Sequence, residues 1–549
     1  MVAARAASLR SRPVWLATAI SALLGGVYLI WRPRTLDLAA QVFRADLWDR
    51  AGWVVWNDAW YSGHTVPGYS LLYPPLGAWL GPELLGALCA VAAAALFAAI
   101  AHRARGEAAW LGAAWFGAGS AVAVFGGRIT FALGLVAGLA ALLALQHRRP
   151  LPAALAGALA GLASPVAGLF TALGAAGALA AARAGRAGGR WPADASLRRA
   201  ALGALLGAAL ATGALVLAFP TPGYQPFAFS AWIPIPLACL AALILLPREE
   251  GALRWAVALY ALVGLAALLI HTPLGGNAAR FGATFAGPVL AVVLLRRRPL
   301  ALAVVALPLL WWQWTATVRD VAAADGDPSV ERAYYAPLLA ELERRAGTRP
   351  IRVQIPPTRN RWESVYVAES VPLARGWLRQ LESEDIDEFT EGGLSAASYG
   401  RWLEEHGVSY VALPDAELDY LATDEAALLE GGGLDDLREV WSSEHWRLWQ
   451  VRRRDGGGQL AGGGAEITAL GPDGFTVRTP GPGEYLLRLR YSPYFRIASG
   501  RACIEDAGDG NTLLTVADTN DRAAITPTIE VAAELSVGGL LRRGRSCVG

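Results

Sequence analysis

A carboxylate at position 37 is the residue of this sequence best suited to acid–base chemistry. Asp37 lies in "WRPRTLDLAAQ", a few residues beyond the first apolar segment. A carboxylate that faces a cavity at membrane level is partly removed from water and is suited to accept a proton. We therefore predict that Asp37 is a general base. The alternative is a solvated acid that pairs with Arg34 or Arg44.

The stretch "WNDAWYSGHTVPGYSLLYPP", residues 56–75, combines aromatic residues, turn formers and one histidine. His64 can hydrogen-bond a phosphate or a sugar, shuttle a proton, or cap the local backbone. Tyr61, His64 and Tyr73 are predicted to line a substrate cavity covered by this loop, and Asp46 is a weaker candidate for substrate binding. The same aromatic residues would also suit the lipid headgroup region.

A second concentration of polar and aromatic side chains occurs in "PPTRNRWESVYVAESVPLARGW", residues 356–377. Aromatic faces beside polar groups are suited to carbohydrate, so Arg359, Trp362 and Glu363 are predicted to contact an acceptor glycan. Packing against the membrane region would explain the same residues without a ligand.

Long apolar runs form the elements that must position these groups. Of the 549 residues 54% are hydrophobic, and the charged residues concentrate in the last part of the chain. About eleven runs approach the roughly 20 residues that span a bilayer. The break at Ser164-Pro165 can either kink one helix or separate two. The runs are residues 13–31, 80–101, 109–126, 129–146, 151–167, 168–182, 201–219, 232–246, 255–271, 281–295 and 299–316.

The arginines of the short loops predict the orientation of these runs. With a cytoplasmic N-terminus, the arginine-rich loops, such as residues 103–105, 148–149 and 296–298, all lie on the cytoplasmic side. The loop of residues 32–79 and the chain beyond about residue 318 then lie outside. The net charge is only +2 and topology accounts for the arginines, so nothing indicates nucleic-acid binding.

Arg128 and Arg280 are exceptions, since both are predicted at the outer ends of helices. Binding of a phosphate would explain an arginine in such a place, and so would a salt bridge or a side chain that reaches the membrane surface. His271 and Asn277, in "HTPLGGNAARFG", are predicted to line the same cavity or to form an ordinary polar turn.

The polar part of the chain divides into two predicted modules. Residues 319–453 mix helical and strand patterns and predict an α/β module, whereas residues 465–549 have the strand-and-turn rhythm of a β-sandwich. Cys503 and Cys547 both lie in the second module and can form a disulfide, which would be typical of a compartment outside the cytosol. Residues 1–318 form the predicted transmembrane domain.

These features together resemble the GT-C superfamily of integral membrane glycosyltransferases. The resemblance rests on a long outer loop after the first span with an early acid, on "YPPL" at residues 73–76 before the second span, and on an outer C-terminal region. "WYSGHTVPGYSLLYPPL" and "GGNAARFGATFAGPVL" are also similar to segments of actinobacterial polytopic membrane proteins. The resemblance implies a GT-C-like fold, a polyprenyl-phosphate-linked sugar donor, and the role of catalytic base or metal partner for Asp37.

The expected protein is therefore a polytopic α-helical enzyme of a bacterial plasma membrane, with its C-terminal α/β and β-sandwich modules outside the cytoplasm. It would transfer a sugar from a lipid-linked donor to an envelope glycan or lipid acceptor. The sequence is compatible with a divalent ion that bridges Asp37 or Asp46 to a lipid phosphate. No Cys/His/carboxylate spacing predicts a zinc site. The alternatives are a polytopic transporter and a non-catalytic envelope assembly protein.

Overall fold

A computed structural model describes residues 11–185, 194–385, 389, 394–432, 434–452, 460–517, 527–541 and 545–548. The chain forms two compact units. Unit 1 consists of Met1–Gln41 and Gly68–Asp325, and unit 2 consists of Val42–Pro67 and Gly326–Gly549. The sequence-based boundaries assign the whole loop of residues 32–79 to the membrane domain, whereas the contacts of the structure place its middle part in unit 2.

Unit 1 is helical, as its apolar composition predicts, because a helix satisfies its own backbone hydrogen bonds in lipid. Its first helices are α1 (Arg12–Trp31) and α2 (Leu36–Ala51), of which α2 continues into unit 2. The remaining helices are α3 (Tyr73–Leu80), α4 (Pro82–Arg105), α5 (Trp110–Phe125), α6 (Ile129–Gln146), α7 (Pro150–Ala163), α8 (Pro165–Arg183), α9 (Ala195–Ala218), α10 (Phe229–Trp232), α11 (Pro234–Leu245), α12 (Gly251–Leu269), α13 (Ala279–Leu294) and α14 (Pro299–Ala324).

Within the described residues, eight helical segments are long and apolar enough to cross a membrane. One of them, Pro82–Phe125, comprises both α4 and α5, and two shorter apolar helices occur at Pro150–Ala163 and Phe229–Leu245. Each apolar run of the sequence thus corresponds to helical structure. This confirms the predicted apolar helices and is consistent with a membrane protein. The count of eleven crossings stays a prediction.

The break at Ser164-Pro165 separates two helices. Helix α7 ends at Ala163, and Ser164 has an extended backbone with φ −160° and ψ 119°. The residue before a proline is pushed away from the helical region, and a proline in the first turn lacks only an N–H that would have no helical partner. The Ser164 side chain accepts a hydrogen bond from the Ala167 N–H and caps α8.

Small residues allow these helices to pack closely. A Cβ atom added to Gly207 of α9 would lie 2.1 Å from the carbonyl oxygen of Ala154 in α7. Such close backbone approach is typical of helix pairs in membranes, where packing between small residues replaces the hydrophobic effect.

Unit 2 contains the predicted α/β module. Its sheet has the order β3-β4-β6-β5, in which β3 and β4 are parallel and the other neighbours are antiparallel. Its elements are α15 (Arg332–Ala346), β3 (Val353–Gln354), α16 (Glu363–Tyr366), α17 (Arg379–Asp385), α18 (Ala396–Glu405), β4 (Tyr410–Pro414), α19 (Thr423–Gly431), β5 (Leu437–Ser442) and β6 (Trp446–Val451). The alternating patterns "PIRVQIP" at residues 350–356 and "VSYVALPD" at residues 408–415 predict short strands, and these correspond to β3 and β4.

The C-terminal module has two antiparallel four-stranded sheets in its described part, with the orders β10-β13-β8-β7 and β14-β11-β12-β9. Its strands are β7 (Glu466–Gly471), β8 (Gly474–Arg478), β9 (Gly483–Arg490), β10 (Phe495–Ser499), β11 (Ala502–Asp506), β12 (Asn511–Val516), β13 (Thr528–Ala533) and β14 (Arg545–Val548), with a short helix α20 (Val537–Leu540) before β14. Cys503 and Cys547 lie directly opposite each other on β11 and β14 and form a disulfide.

The aromatic side chains of residues 56–64 belong to the core of unit 2. A short hairpin, β1 (Trp56–Asn57) and β2 (His64–Thr65), carries two tryptophans whose side chains are almost completely buried. Trp60 stacks on Phe43 with ring centroids 4.2 Å apart, and its Nε1–H donates to the Ser364 carbonyl oxygen over 3.0 Å. Burial of these rings, and not the headgroup region of a membrane, accounts for the aromatic composition of residues 56–64.

Alternating charges fill part of the interior of the α/β module. Arg361 donates to Glu382 over 2.8 Å, and Arg375 bridges Glu382 at 3.4 Å and Glu425 at 2.9 Å. All four side chains are buried, so each charge is stabilised by its ion-pair partners and not by water. Arg361 and Arg375, which lie in the stretch of residues 356–377, are therefore part of an interior ion network.

Three carboxyl groups of unit 2, those of the buried Asp58 and Glu363 and of the half-buried Asp473, predict a pH-dependent stability. Burial raises the pKa of Asp58 and Asp473 to about 6 and that of Glu363 to about 7. Because these values exceed those of the unfolded chain, the folded state binds more protons in this range and its stability rises as the pH falls. His64 has the opposite effect, since burial and the nearby Arg44 lower its pKa to about 3. The three carboxyl groups together change the stability more over this pH range than His64 does alone.

We expect the free energy of unfolding of unit 2 to increase between pH 7.5 and about pH 5. The substitution Asp58→Asn should flatten this dependence, whereas Asn at the exposed Asp424 should leave it unchanged. Thermal unfolding of the purified protein across this pH range, followed by near-ultraviolet circular dichroism, measures the slope. A slope that Asp58→Asn leaves unaltered would exclude Asp58 as one of the titrating groups.

Candidate functional site

The first turn of α2 holds Asp37 against the turn between α5 and α6. Thr35 donates its hydroxyl to the Phe125 carbonyl oxygen over 3.2 Å. Gly127 has a φ of +73°, and a Cβ atom there would lie 2.2 Å from the Leu38 nitrogen. Only a glycine allows this close approach. The start of α2 is thereby fixed beside Arg128, the residue that precedes α6.

Asp37 lies at the centre of a small charge cluster. The Arg128 Nε–H donates to Asp37 Oδ2 over 2.8 Å, and Arg280 Nη2 is 3.7 Å from the same oxygen. Arg128 also donates through Nη2 to Asp320 Oδ2 over 3.0 Å. We call Asp37, Arg128, Arg280 and Asp320 the arginine–aspartate cluster. Three of its four members are residues for which the sequence predicted catalysis or phosphate binding.

The cluster is charge-balanced and partly open to solvent. Its two guanidinium groups face two carboxylates, and the four side chains are between 17% and 30% exposed. The position of Asp37 in the first turn of α2 adds a favourable interaction with the helix dipole. An anion that reached the cluster would find two arginines that can exchange a carboxylate for a phosphate oxygen.

Sequence reasoning did not identify Asp320. This residue lies near the end of α14, in "TVRDVAAADGD", where an acid after an apolar run is usually solvated. No local pattern distinguishes it from the other acids of that segment. Only the packing of α14 within unit 1 brings Asp320 to Arg128.

An apolar cavity of about 320 Å³ lies among the helices of unit 1. Phe281, which lines this cavity, directly follows Arg280 in α13, and Phe131, also in the lining, lies in the first turn of α6 beyond Arg128. Arg280 lies in the first turn of α13 and Arg128 directly precedes α6, so each arginine is within three residues of a ring that lines the cavity. The lining includes Phe97, Phe131, Leu139, Phe170, Tyr260, Phe281 and Phe285.

Tyr73 contacts the backbone of α2. Its side chain is completely buried, and its hydroxyl donates to the Gln41 carbonyl oxygen over 3.0 Å. His271 is exposed, with its ring centroid 4.4 Å from that of Tyr224. Asn277 is half-buried in the 3-10 turn Gly275–Ala278 that leads into α13.

The polar residues predicted around the first loop lie in unit 2. The Tyr61 hydroxyl donates to the Gly376 carbonyl oxygen over 2.7 Å and is buried. His64 is buried against Trp60, and its lowered pKa keeps it neutral, so it is unsuited to shuttle protons. Asp46 is an exposed residue of α2. The structure supports structural roles for Tyr61 and His64 in place of the predicted substrate contacts.

The predicted glycan surface of residues 356–377 is largely interior. Trp362 is buried and stacks on Tyr366, with ring centroids 5.4 Å apart. Glu363 is buried and accepts a hydrogen bond from the Thr358 hydroxyl over 2.6 Å. Arg359 is exposed and pairs with Glu417 at 2.5 Å. A glycan cannot stack on Trp362 in this arrangement, because neighbouring side chains already cover the ring.

The described residues contain no group of three or more His, Cys, Asp or Glu side chains that could hold a metal ion. Comparison of the chain with protein-family models gave no match, and neither did comparison with curated proteins.

Proposed function

We propose that this chain is a membrane glycosyltransferase that takes a sugar from a polyprenyl-phosphate-linked donor and transfers it to a cell-envelope acceptor at the outer face. The observation that carries the proposal is the convergence of Arg128 and Arg280 on Asp37. Two guanidinium groups suit a lipid phosphate, and a carboxylate between them suits the proton of an acceptor hydroxyl. The resemblance of the sequence to GT-C enzymes supports sugar as the transferred group.

In the proposed reaction the acceptor oxygen attacks the anomeric carbon of the donor sugar. The bond from that carbon to the phosphate oxygen breaks as the new glycosidic bond forms. Asp37 takes the proton of the acceptor hydroxyl, and the arginines stabilise the negative charge that develops on the departing phosphate. The proton leaves Asp37 to solvent after product release.

Arrival of the phosphate would make Asp37 available to the acceptor. A phosphate that engages Arg128 and Arg280 would replace the Asp37 carboxylate as the partner of the two guanidinium groups. Asp320 remains as a partner for Arg128 and keeps the guanidinium in place.

We expect substitution of Arg280 by Ala to raise the KM for a lipid-phosphate donor by roughly 10–100-fold, the loss of about 1.5–3 kcal/mol in charge-assisted hydrogen bonds. The exposed Arg32 at the end of α1 is the matched control, and its replacement by Ala should leave KM unchanged. Steady-state transfer from short-chain polyprenyl-phosphate sugars by protein in lipid nanodiscs measures both. An unchanged KM in Arg280→Ala would remove Arg280 from donor binding.

The second candidate is a non-catalytic envelope assembly protein. The charge balance of the arginine–aspartate cluster favours it, since four mutually paired groups also serve to hold α2, α6, α13 and α14 together. In that case no donor and acceptor combination would give turnover, and substitutions in the cluster would lower stability alone.

A further inference from the structure

The apolar cavity of unit 1 follows the length of its helices. Phe131 and Gln146 both line it, and they lie about 22 Å apart along α6 at 1.5 Å per residue. Its volume is about 320 Å³. Since an engineered cavity of about 150 Å³ binds one benzene, this volume corresponds to roughly a dozen carbon atoms. A dozen carbon atoms spread along such a length form one chain and not two side by side.

The lining of the cavity offers carbon and few polar groups. Only four of its described residues carry a polar side-chain atom, namely Gln146, Thr171, Cys239 and Tyr260. Both hydroxyls already donate to backbone carbonyl oxygens, that of Thr171 to Ala167 over 2.8 Å and that of Tyr260 to Ala278 over 3.0 Å. The cavity therefore suits a hydrocarbon, which gains dispersion contacts with every wall.

The lining begins close to the two arginines of the arginine–aspartate cluster. On α6 the first lining residue is Phe131, three positions after Arg128, and on α13 it is Phe281, directly after Arg280. The ring of Phe170 joins the two, with centroids 6.0 Å from Phe131 and 5.0 Å from Phe281. From these rings the lining continues along both helices, away from their first turns. A hydrocarbon chain in the cavity would thus start near groups that suit a phosphate.

We propose that the cavity binds the hydrocarbon of a single-chain lipid phosphate, with the phosphate at Arg128 and Arg280. The proposal rests on the donor site proposed above and adds which part of the lipid the protein recognises. A diacyl phospholipid offers a similar phosphate, but its second chain has no place in a cavity one chain wide. Carbon atoms beyond roughly the first dozen would lie outside the cavity.

Gly174 allows the cavity to be blocked halfway along its length. It lines the cavity on α8 between Phe170 and Ala178. A Cβ atom there would lie 3.5 Å from the Leu142 side chain, an ordinary contact, so Gly174→Leu fits the backbone and fills the space beyond it. Gly213→Leu is the matched control, because a Cβ atom at this position of α9 meets nothing within 4 Å and Gly213 does not line the cavity.

Photolabelling of the full-length protein in phosphatidylcholine nanodiscs tests the proposal. The probe is dodecyl phosphate with a diazirine near the end of its chain, and mass spectrometry locates the labelled residues. We expect labels on deep lining residues such as Leu145 and Leu253. They should be several-fold weaker in Gly174→Leu than in Gly213→Leu, and several-fold weaker in Arg280→Ala, which leaves the cavity intact. Excess farnesyl phosphate should compete with the probe, whereas dioleoyl phosphatidic acid should not.

Three results would overturn the proposal: labels confined to lipid-exposed positions such as Leu202 and Leu210, equal deep labelling in the Gly174 and Gly213 variants, or equal competition by phosphatidic acid. Labelling requires no turnover, so the test is separate from that of the transferase. Deep labelling in a protein that transfers no sugar would support the lipid site and remove the proposed enzyme. Sugar transfer with labels only on exposed positions would do the reverse.

Discussion

Replacing Asp37 by Asn is expected to reduce turnover of a lipid-phosphate-linked sugar by about 10²–10⁴-fold, the usual contribution of a general base. The amide keeps the size of the side chain but cannot take the acceptor proton. The donor KM should change much less than turnover, since Arg128 keeps its bond to Asp320 and Arg280 remains in place. Steady-state transfer to an envelope acceptor by protein in nanodiscs measures turnover and KM separately.

Asp49 provides a matched control for this experiment. It is an exposed acid on the same helix α2, so Asp49→Asn repeats the chemical change away from the arginine–aspartate cluster. Thermal unfolding of both variants shows whether either substitution disturbs folding. If Asp37→Asn is folded and retains the turnover of the parent protein, Asp37 is not the base and its pairing with Arg128 is structural.

Trp56→Ala is expected to lower the stability of the C-terminal module by about 3–5 kcal/mol, the usual loss when a large buried aromatic residue is truncated. Trp56 contacts Phe475 and Phe495, with ring centroids 6.1 and 5.1 Å away. Its Nε1–H donates to the Arg490 carbonyl oxygen over 3.2 Å. The Asp473 carboxylate accepts the N–H groups of Val55 and Trp56, over 3.0 and 2.8 Å, so backbone and side chain both join the loop to the module.

Trp53→Ala is the matched control, because Trp53 lies three positions earlier in the same loop and is 44% exposed. Amide hydrogen exchange of β8 and β10, the strands that carry Phe475 and Phe495, reports on the module within the intact membrane protein. We expect faster exchange in these strands for Trp56→Ala and parent-like exchange for Trp53→Ala. Equal protection in the two variants would show that Trp56 contributes little to the module.

Several features of this protein follow from local sequence alone. A run of about 20 apolar residues forms a helix in lipid whatever its neighbours are, so composition was sufficient to predict the apolar helical region. The conformational limits around Pro165 act on adjacent residues and determine where α7 ends and α8 begins. Alternating patterns likewise predicted β3, β4 and the strands of the C-terminal module.

The roles of individual polar and aromatic residues depended on contacts distant in sequence. Trp56 and Trp362 lie in sequence patterns that are typical of membrane-surface or sugar-binding aromatic residues. Both are nevertheless interior, because Phe495 packs on Trp56 and Tyr366 packs on Trp362. Asp320 carries no local signal, and it reaches Arg128 only through the packing of α14.

The sequence by itself thus determined which segments are apolar helices and which are strands. It also identified Asp37, Arg128 and Arg280 as candidate functional residues. The tertiary structure decided that the last three meet in one cluster and that residues 42–67 join unit 2. The physical reason is that helix formation depends on hydrogen bonds within a few residues of the chain, whereas burial and ion pairing depend on which surfaces the fold brings together.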